Sequence, residues 1–441
     1  MQLVAYGAQD IYLTGKPQIT FFKAVYRRYT NFAIESIQQD VQASPLFGSQ
    51  VVINIARNGD LLKRIWIEYS PFDILAGLNN TQQLLGYQGY TVAANLGHAI
   101  IDYIDIQIGG QLIDRHYGKW LTIWNYLSES NPTGEQGAID NYATGPGEYT
   151  SNPIYGPAGS GDNAVTEVYP RATRYNRMAY THRSQVNVIS NTGSPQLAWI
   201  PLQFWFCRNP GLAIPLVSLQ YHEISIIVNF AQLGLVTNMP STRLNGNEFS
   251  RFAVYADFVY LDTKERRQFS QNAHEYLIDQ LQVINNTTHK DIDLYFKQPV
   301  KEILWSSSPE IVSFGAPSPA DRTQYYTVVP GLGSPSKELD DSNYSLSLNG
   351  VPRISRDLKY FTRNQIWDYH TGYGSILFPN SVAVYSFALR PEENQPSGSC
   401  NFSRIDSAKL VRSTTDPIDI YAININILRI MSGKAGLAYI I

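Results

Sequence analysis

Two histidine–glutamate pairs, His222-Glu223 and His274-Glu275, come nearest in this chain to a metal-binding motif. A helical zinc site of that kind needs a second histidine four positions on, where its imidazole would share the helix face of the first. Ile226 and Ile278 stand there instead, so neither pair can close a site. The chain has no His-x-His pair and no Gly-x-Ser-x-Gly nucleophile turn. Gly118-Lys119 runs into Trp120 rather than the Ser or Thr of a phosphate-cradling loop. His222 lies in the apolar run LQYHEISIIVNF, where a hydrogen-bonded strand histidine is the expected role. The carboxylate pairs Asp102/Asp105 and Asp340/Asp341 could hydrolyse a glycoside only across a cleft, and they read as surface and turn residues. The expectation is a non-enzyme with no catalytic residue, no metal site and no cofactor.

Two weaker signals remain. Asn79, Asn285, Asn286, Asn343 and Asn401 each open an Asn-x-Ser/Thr triplet, a glycan acceptor if the chain meets a glycosyltransferase. Near the start, Lys16, Lys23, Arg27 and Arg28 outnumber the lone acid Asp10. Ile19, Phe22, Val25, Tyr26 and Tyr29 recur there at helical spacing after Pro17, which predicts a short amphipathic helix in an arm over residues 1–31. Such an arm could plug the base of the following domain with its charges solvated. Alternatively it could meet an anionic lipid face or an acidic partner.

Composition narrows the class. The 441 residues suit two domains of ordinary size. Only 16% are charged, against about 25% in typical domains, while 30 Tyr, 18 Phe and 7 Trp are present. That balance favours strands over solvated helices. A net charge of −3 leaves no overall footprint for nucleic acid. Cys207 and Cys400 are too few for a disulfide framework, although one bridge between them stays open. The opening MQLVAYGAQD lacks the basic and apolar regions of a signal peptide, and Pro215, Gln220, His222 and Glu223 interrupt the longest apolar stretch.

The elements that must position these residues are set by an internal repeat. Ile108–Tyr126 (IGGQLIDRHYGKWLTIWNY) is echoed by Leu348–Tyr369 (LNGVPRISRDLKYFTRNQIWDY). Both open on a hairpin tip needing positive φ, Gly109-Gly110 and Asn349-Gly350. Both close on Trp124-Asn125-Tyr126 or Trp367-Asp368-Tyr369, each tryptophan reading as an apolar plug to be covered. IESIQ at Ile34–Gln38 answers IDQLQ at Ile278–Gln282, and LLKRIWI at Leu61–Ile67 answers PVKEILW at Pro299–Trp305. The echoes keep one order and an offset near 240, so the chain is read as one domain used twice. The expected organisation is an arm over 1–31, a first domain over 32–262, a linker with a turn of helix over 263–273, and a second domain over 274–441. Eight short strands per domain predict an all-β chain of two tandem eight-stranded antiparallel jelly-roll barrels. Long insertions at 70–96, 128–177 and 309–342 are expected to carry surface contacts.

Particular words carry a resemblance. Gln2–Gln38 (QLVAYGAQDIYLTGKPQITFFKAVYRRYTNFAIESIQ), Arg57–Leu61, Ile108–Tyr117, Asn209–Glu223, Asp257–Gln282, Tyr385–Ala408 and Asn426–Ile440 resemble major capsid proteins of nucleocytoplasmic large DNA viruses, nearest to those of algal and giant viruses. The resemblance spans residues 2–440 apart from the long insertions. It implies a structural protein that forms homotrimers, whose six similar barrels tile an icosahedral shell as nearly hexagonal capsomers. It also implies minor capsid or cement proteins and an internal viral membrane beneath the shell, a host receptor as a candidate partner of outer loops, and no genome contact. The implied location is the virion, assembled in the host cytoplasm. Lys16, Lys23, Arg27 and Arg28 would then face the membrane or a minor capsid protein. A minor capsid paralogue and a carbohydrate-binding tandem β-sandwich are the rival readings.

Overall fold

The computed structural model of the chain describes residues 8, 14–17, 26, 28–69, 91–93, 95–129, 174–179, 198–236, 249, 251–308, 327–329, 338–372 and 380–439. The first half holds β1 (Phe32–Gln39), β2 (Gln50–Asn54), β3 (Leu61–Tyr69), β4 (Thr91–Ala93), β5 (Ile101–Ile108), β6 (Gln111–Tyr117), β7 (Ala198–Pro201), β8 (Ile214–Pro215), β9 (Ile224–Phe230) and β10 (Phe252–Leu261). The second holds β11 (His274–Thr287), β12 (Asp291–Asp293), β13 (Pro299–Ser307), β14 (Thr327–Val329), β15 (Asn343–Leu348), β16 (Val351–Asp357), β17 (Val382–Ser386), β18 (Cys400–Asn401), β19 (Ala408–Val411), β20 (Ile418–Met431) and β21 (Lys434–Leu437). Apolar residues recur at every second position over stretches of β5, β9 and β20, as strands with one face toward a core require.

Strand order repeats. One sheet of the first half runs β1-β10-β3-β7 and the other β2-β9-β5-β6; the second half runs β11-β20-β13-β17 and β12-β19-β15-β16. Each pair of sheets closes on its own apolar core. Ile65, Ile67 and Ala256 meet Ile104, Ile106 and Val228 in the first. Ile303, Trp305 and Ile420 meet Leu346 and Leu410 in the second. This antiparallel strand order is that of a jelly roll, present twice.

The repetition extends to irregularities. Lys63 is the residue skipped between β10 and β3, and Lys301 the residue skipped between β20 and β13. Ile113 and Arg353 are likewise skipped on β6 and β16. Both hairpin tips are left-handed, with φ of 59° and 80° at Gly109-Gly110 and 52° and 75° at Asn349-Gly350. One echo needs correction. Ile65, Ala256 and Ile37 form a rung at the same level as Ile303, Ala422 and Gln282. β1 and β11 therefore correspond one residue away from the match of IESIQ to IDQLQ, and a one-residue slip exchanges the two faces of a strand.

Other expectations also change. The expectation of short strands throughout fails after Pro201, where the chain leaves the sheet and turns helical at Trp205–Arg208, burying Trp205 and Phe206. His222 lies in a loop before β9, because Pro215 and the turn at Leu216–Ser218 end the preceding extended segment. Three helices bear on function: α1 (Gly118–Ser128), α2 (Thr263–Gln271) and α3 (Gln365–Tyr369), the last continuing a π-helical turn at Tyr360–Asn364. α2 is capped by Asp262, whose carboxylate accepts from the Glu265 N–H. Most of the predicted arm helix lies outside the described residues, and Tyr26, Arg28 and Tyr29 at its end are non-helical and exposed. The long insertions lie largely outside as well, apart from segments such as β4 and β14, which pair in parallel with one another.

Candidate assembly interface

Most of the residues screened for chemistry have structural partners. His222 Nδ1 accepts from the Ala435 N–H at 3.2 Å, tying the loop before β9 to β21. His274 Nε2 lies 2.7 Å from the Phe269 carbonyl. Asp102 accepts from Asn229 at 3.1 Å, Asp105 holds Arg115 at 2.6 and 2.7 Å, and Asp341 pairs with Lys359 at 3.1 Å. Among the described residues no group of three or more His, Cys, Asp or Glu is placed to hold a metal. Cys207 and Cys400 are free, and burial pushes the Cys207 thiol up to about 12. Asn285, Asn286, Asn343 and Asn401 are exposed, while Asn79, Lys23 and Arg27 lie outside the described residues. Lys16 and Arg28 are exposed.

The concentrated chemistry lies where the halves meet. α1 begins at Gly118, where a Cβ would stand 2.1 Å from the His98 carbonyl, so that position excludes any side chain. From there Trp120, Ile123, Trp124 and Leu127 recur at helical spacing and pack on the outward face of β11-β20-β13-β17, against Leu281, Leu304, Val384, Tyr421 and Ile423. The Trp120 ring lies 5.5 Å from that of Tyr421, and the Arg208 guanidinium 4.7 Å over Trp124. The core of the first half also takes in Ile278, Leu428, Ile430 and Ala435 of the second.

Buried charges are interleaved with this apolar seam. Lys119 Nζ donates to Asp419 at 2.7 Å and to the Ser307 carbonyl. Burial lowers the Lys119 pKa and Asp419 opposes the shift. Asp419 also accepts from Ser308 at 2.6 Å and from the Asn286 N–H at 2.8 Å. Asp279 takes Lys301 and Arg208, each at 3.2 Å. His370 lies between Glu302 and Glu392, 3.0 Å from each. Burial alone would lower its pKa, but the two carboxylates reverse this and hold it at about 9. In contrast, His98 is buried between Thr122 (2.7 Å) and Tyr175 (3.0 Å), with no carboxylate beside it among the described residues, and burial drives it down to about 3. Removing one member of such a buried pair leaves an uncompensated charge, a loss of about 3–5 kcal/mol.

Sequence reasoning missed α1 and therefore this seam. The signal was present, since Trp120, Ile123, Trp124 and Leu127 fit one helix face, but it followed a strand without a break. Trp124 is covered, as a plug should be, and is 4% exposed. Trp367 corrects that expectation at 85% exposed, since no described residue covers it.

Two tandem jelly rolls joined through a buried helical seam place the chain in the class of double jelly-roll proteins. Comparison identifies the family. The family described as "Major capsid protein N-terminus" matches residues 20–262, and that described as "Large eukaryotic DNA virus major capsid protein" matches 265–436. The major capsid protein of Pyramimonas orientalis virus is 39% identical, covering 100% of this chain and 98% of its own. That of Paramecium bursaria Chlorella virus 1 is 34% identical, covering 99% and 98%. A structure titled "PBCV-1 virus capsid, quasi-atomic model" aligns over 96% of this chain and 100% of its own, with 31% identity and a TM-score of 0.69. The Faustovirus major capsid protein shares the fold at 13% identity, with a TM-score of 0.63. The chain belongs to the major capsid protein family of large eukaryotic DNA viruses.

Proposed function

We propose that this chain is the repeating block of an icosahedral shell, working as a homotrimer whose six similar jelly rolls imitate a hexagon. The observation that carries this reading is the identical strand order of the two sandwiches, down to the skipped lysines Lys63 and Lys301. Three chains of two like domains approximate sixfold symmetry, which lets one protein tile a closed lattice. The work is assembly rather than turnover: apolar surface is buried at roughly 25 cal/mol per Å², and obligate contacts run above about 2,000 Å². The domain limits that fit are an arm over 1–31, jelly rolls over 32–262 and 274–441, and a linker over 263–273.

Partners beyond the chain itself follow from the same reading. Lys16, Lys23, Arg27 and Arg28 would face inward, toward an internal membrane or minor capsid proteins. Outer loops would face a receptor, and assembly would take place in the host cytoplasm. Asn79, Asn285, Asn286, Asn343 and Asn401 would be the glycan acceptors, read out by intact-mass analysis of virion-derived protein. The decisive experiment is light scattering of the purified chain at micromolar concentration. The expected species is about 149 kDa, three chains of 49.6 kDa, with a hexagonal outline in negative stain. A species of one chain's mass alone would rule the reading out.

A further inference from the structure

Three Asn-Gly pairs occur in the chain. In such a pair the backbone nitrogen can attack the side-chain amide with little hindrance, because glycine puts no Cβ in the way. Asn245-Gly246 lies outside the described residues. Asn58-Gly59, in the turn between β2 and β3, and Asn349-Gly350, at the tip between β15 and β16, are alike in sequence, and both asparagines are exposed. Their side chains are held differently. Asn349 Oδ1 accepts from the Asp406 and Ser407 N–H groups, and its own N–H donates to the Ser407 carbonyl at 2.6 Å. That pins its carboxamide to residues 406 and 407. The Asn58 carboxamide has no such partner among the described residues, and neither has the Gly59 N–H. Gly59 cannot be exchanged for a residue with a protecting side chain, since a Cβ there would lie 2.7 Å from Phe258 Cβ.

We propose that Asn58 is a site of spontaneous deamidation, a chemistry independent of assembly. The Gly59 nitrogen bonds to Asn58 Cγ, the Cγ–Nδ2 bond breaks, and the Gly59 amide proton leaves with the side-chain nitrogen as ammonia. Water then opens the succinimide at either carbonyl, giving aspartate or isoaspartate, and no oxidant or cofactor takes part. The turn is placed so that the product is felt elsewhere. Arg57 donates to the Gln220 and His222 carbonyls, each at 3.1 Å, and the Asp60 N–H is fixed on the Val259 carbonyl at 3.0 Å. The 220–222 loop in turn reaches the second half: the Tyr221 N–H donates to the Gly433 carbonyl at 3.0 Å, and His222 accepts from the Ala435 N–H. Either product sets a carboxylate beside Arg57 along the chain, in competition with those two carbonyls for the guanidinium. Isoaspartate also adds a carbon to a main chain whose two ends are held. Deamidation therefore loosens a tie between the halves as the protein ages.

The test ages the purified full chain in warm, mildly alkaline buffer. Peptide mapping by mass spectrometry, with isoaspartate methyltransferase labelling, reads the rate at each asparagine. Asn58 should convert at least about fivefold faster than Asn349, the factor imposed by the hydrogen bonds that Asn349 must first give up. In urea the two rates should converge, because both pairs are then unrestrained Asn-Gly. An intact Asn58, an Asn349 that converts as fast in the folded chain, or a difference that persists in urea overturns the proposal. The consequence is read by hydrogen exchange at the Tyr221 N–H. Exchange should quicken in aged wild type relative to fresh protein, but not in aged Asn58→Gln, whose longer side chain closes the ring poorly. Equal exchange in fresh and aged wild type after Asn58 has converted, or an equal rise in the aged variant, overturns the loosening. If the variant fails to fold, the comparison of fresh with aged wild type decides alone.

Discussion

His370 shows how one buried residue can couple the fold to pH. Its imidazolium lies between Glu302 and Glu392, and its pKa is raised to about 9 from an unfolded value near 6.5. A group whose pKa rises on folding stabilises fully below the unfolded value, and that contribution is lost as pH climbs through the folded one. The thermal midpoint of the wild type should therefore fall between about pH 6.5 and pH 9. Replacing His370 with Gln removes the charge and should flatten that slope. The two proteins should differ most below pH 6.5, by roughly 3 kcal/mol, and converge above about pH 10. A denaturation series from pH 6 to pH 10 gives the answer, and parallel slopes would show that His370 does not carry the effect.

At the scale of the element, the two hairpins show why equivalent turns use different residues. Both tips are left-handed, and Asn349 tolerates its φ of 52° because its side-chain Oδ1 accepts from the Asp406 and Ser407 N–H groups at 2.9 and 3.2 Å. Gly109 occupies the matching place at φ 59°, but a Cβ there would lie 2.5 Å from the His222 ring, itself anchored to β21. Gly109→Asn should thus cost more than the reverse change Asn349→Gly. A loss of about 2 kcal/mol or more is expected for Gly109→Asn, from a group forced into a packed contact. For Asn349→Gly about 1 kcal/mol is expected, from the lost hydrogen bonds. Urea midpoints of the two variants check the order.

For the whole molecule, the proposed shell block asks one polypeptide to supply every contact of a ring and also to mark its inner side. Duplication fits the first need, since the chain already packs the helix of its first half on the outward sheet face of its second. The basic arm is proposed to meet the second. If Lys16, Lys23, Arg27 and Arg28 face a membrane, the trimer should float with vesicles rich in anionic lipid. Reversing the four charges should abolish flotation, and raising salt should weaken the wild type, since each basic residue contributes about 1 kcal/mol near such a surface. Binding that ignores both changes would assign the arm to packing instead.

The amino-acid sequence alone determined the duplication, the hairpin tips, the strands and the absence of the common catalytic motifs, because these are written in local periodicity and residue type. Tertiary structure decided what each repeated residue touches. Lys63 is half-exposed and Lys301 buried against Asp279; Trp124 is covered and Trp367 open; β1 and β11 match one residue away from their most similar letters. The physical reason is that a repeat copies conformation but not surroundings: the second half lays a sheet face over Trp124, and among the described residues nothing takes the same place over Trp367.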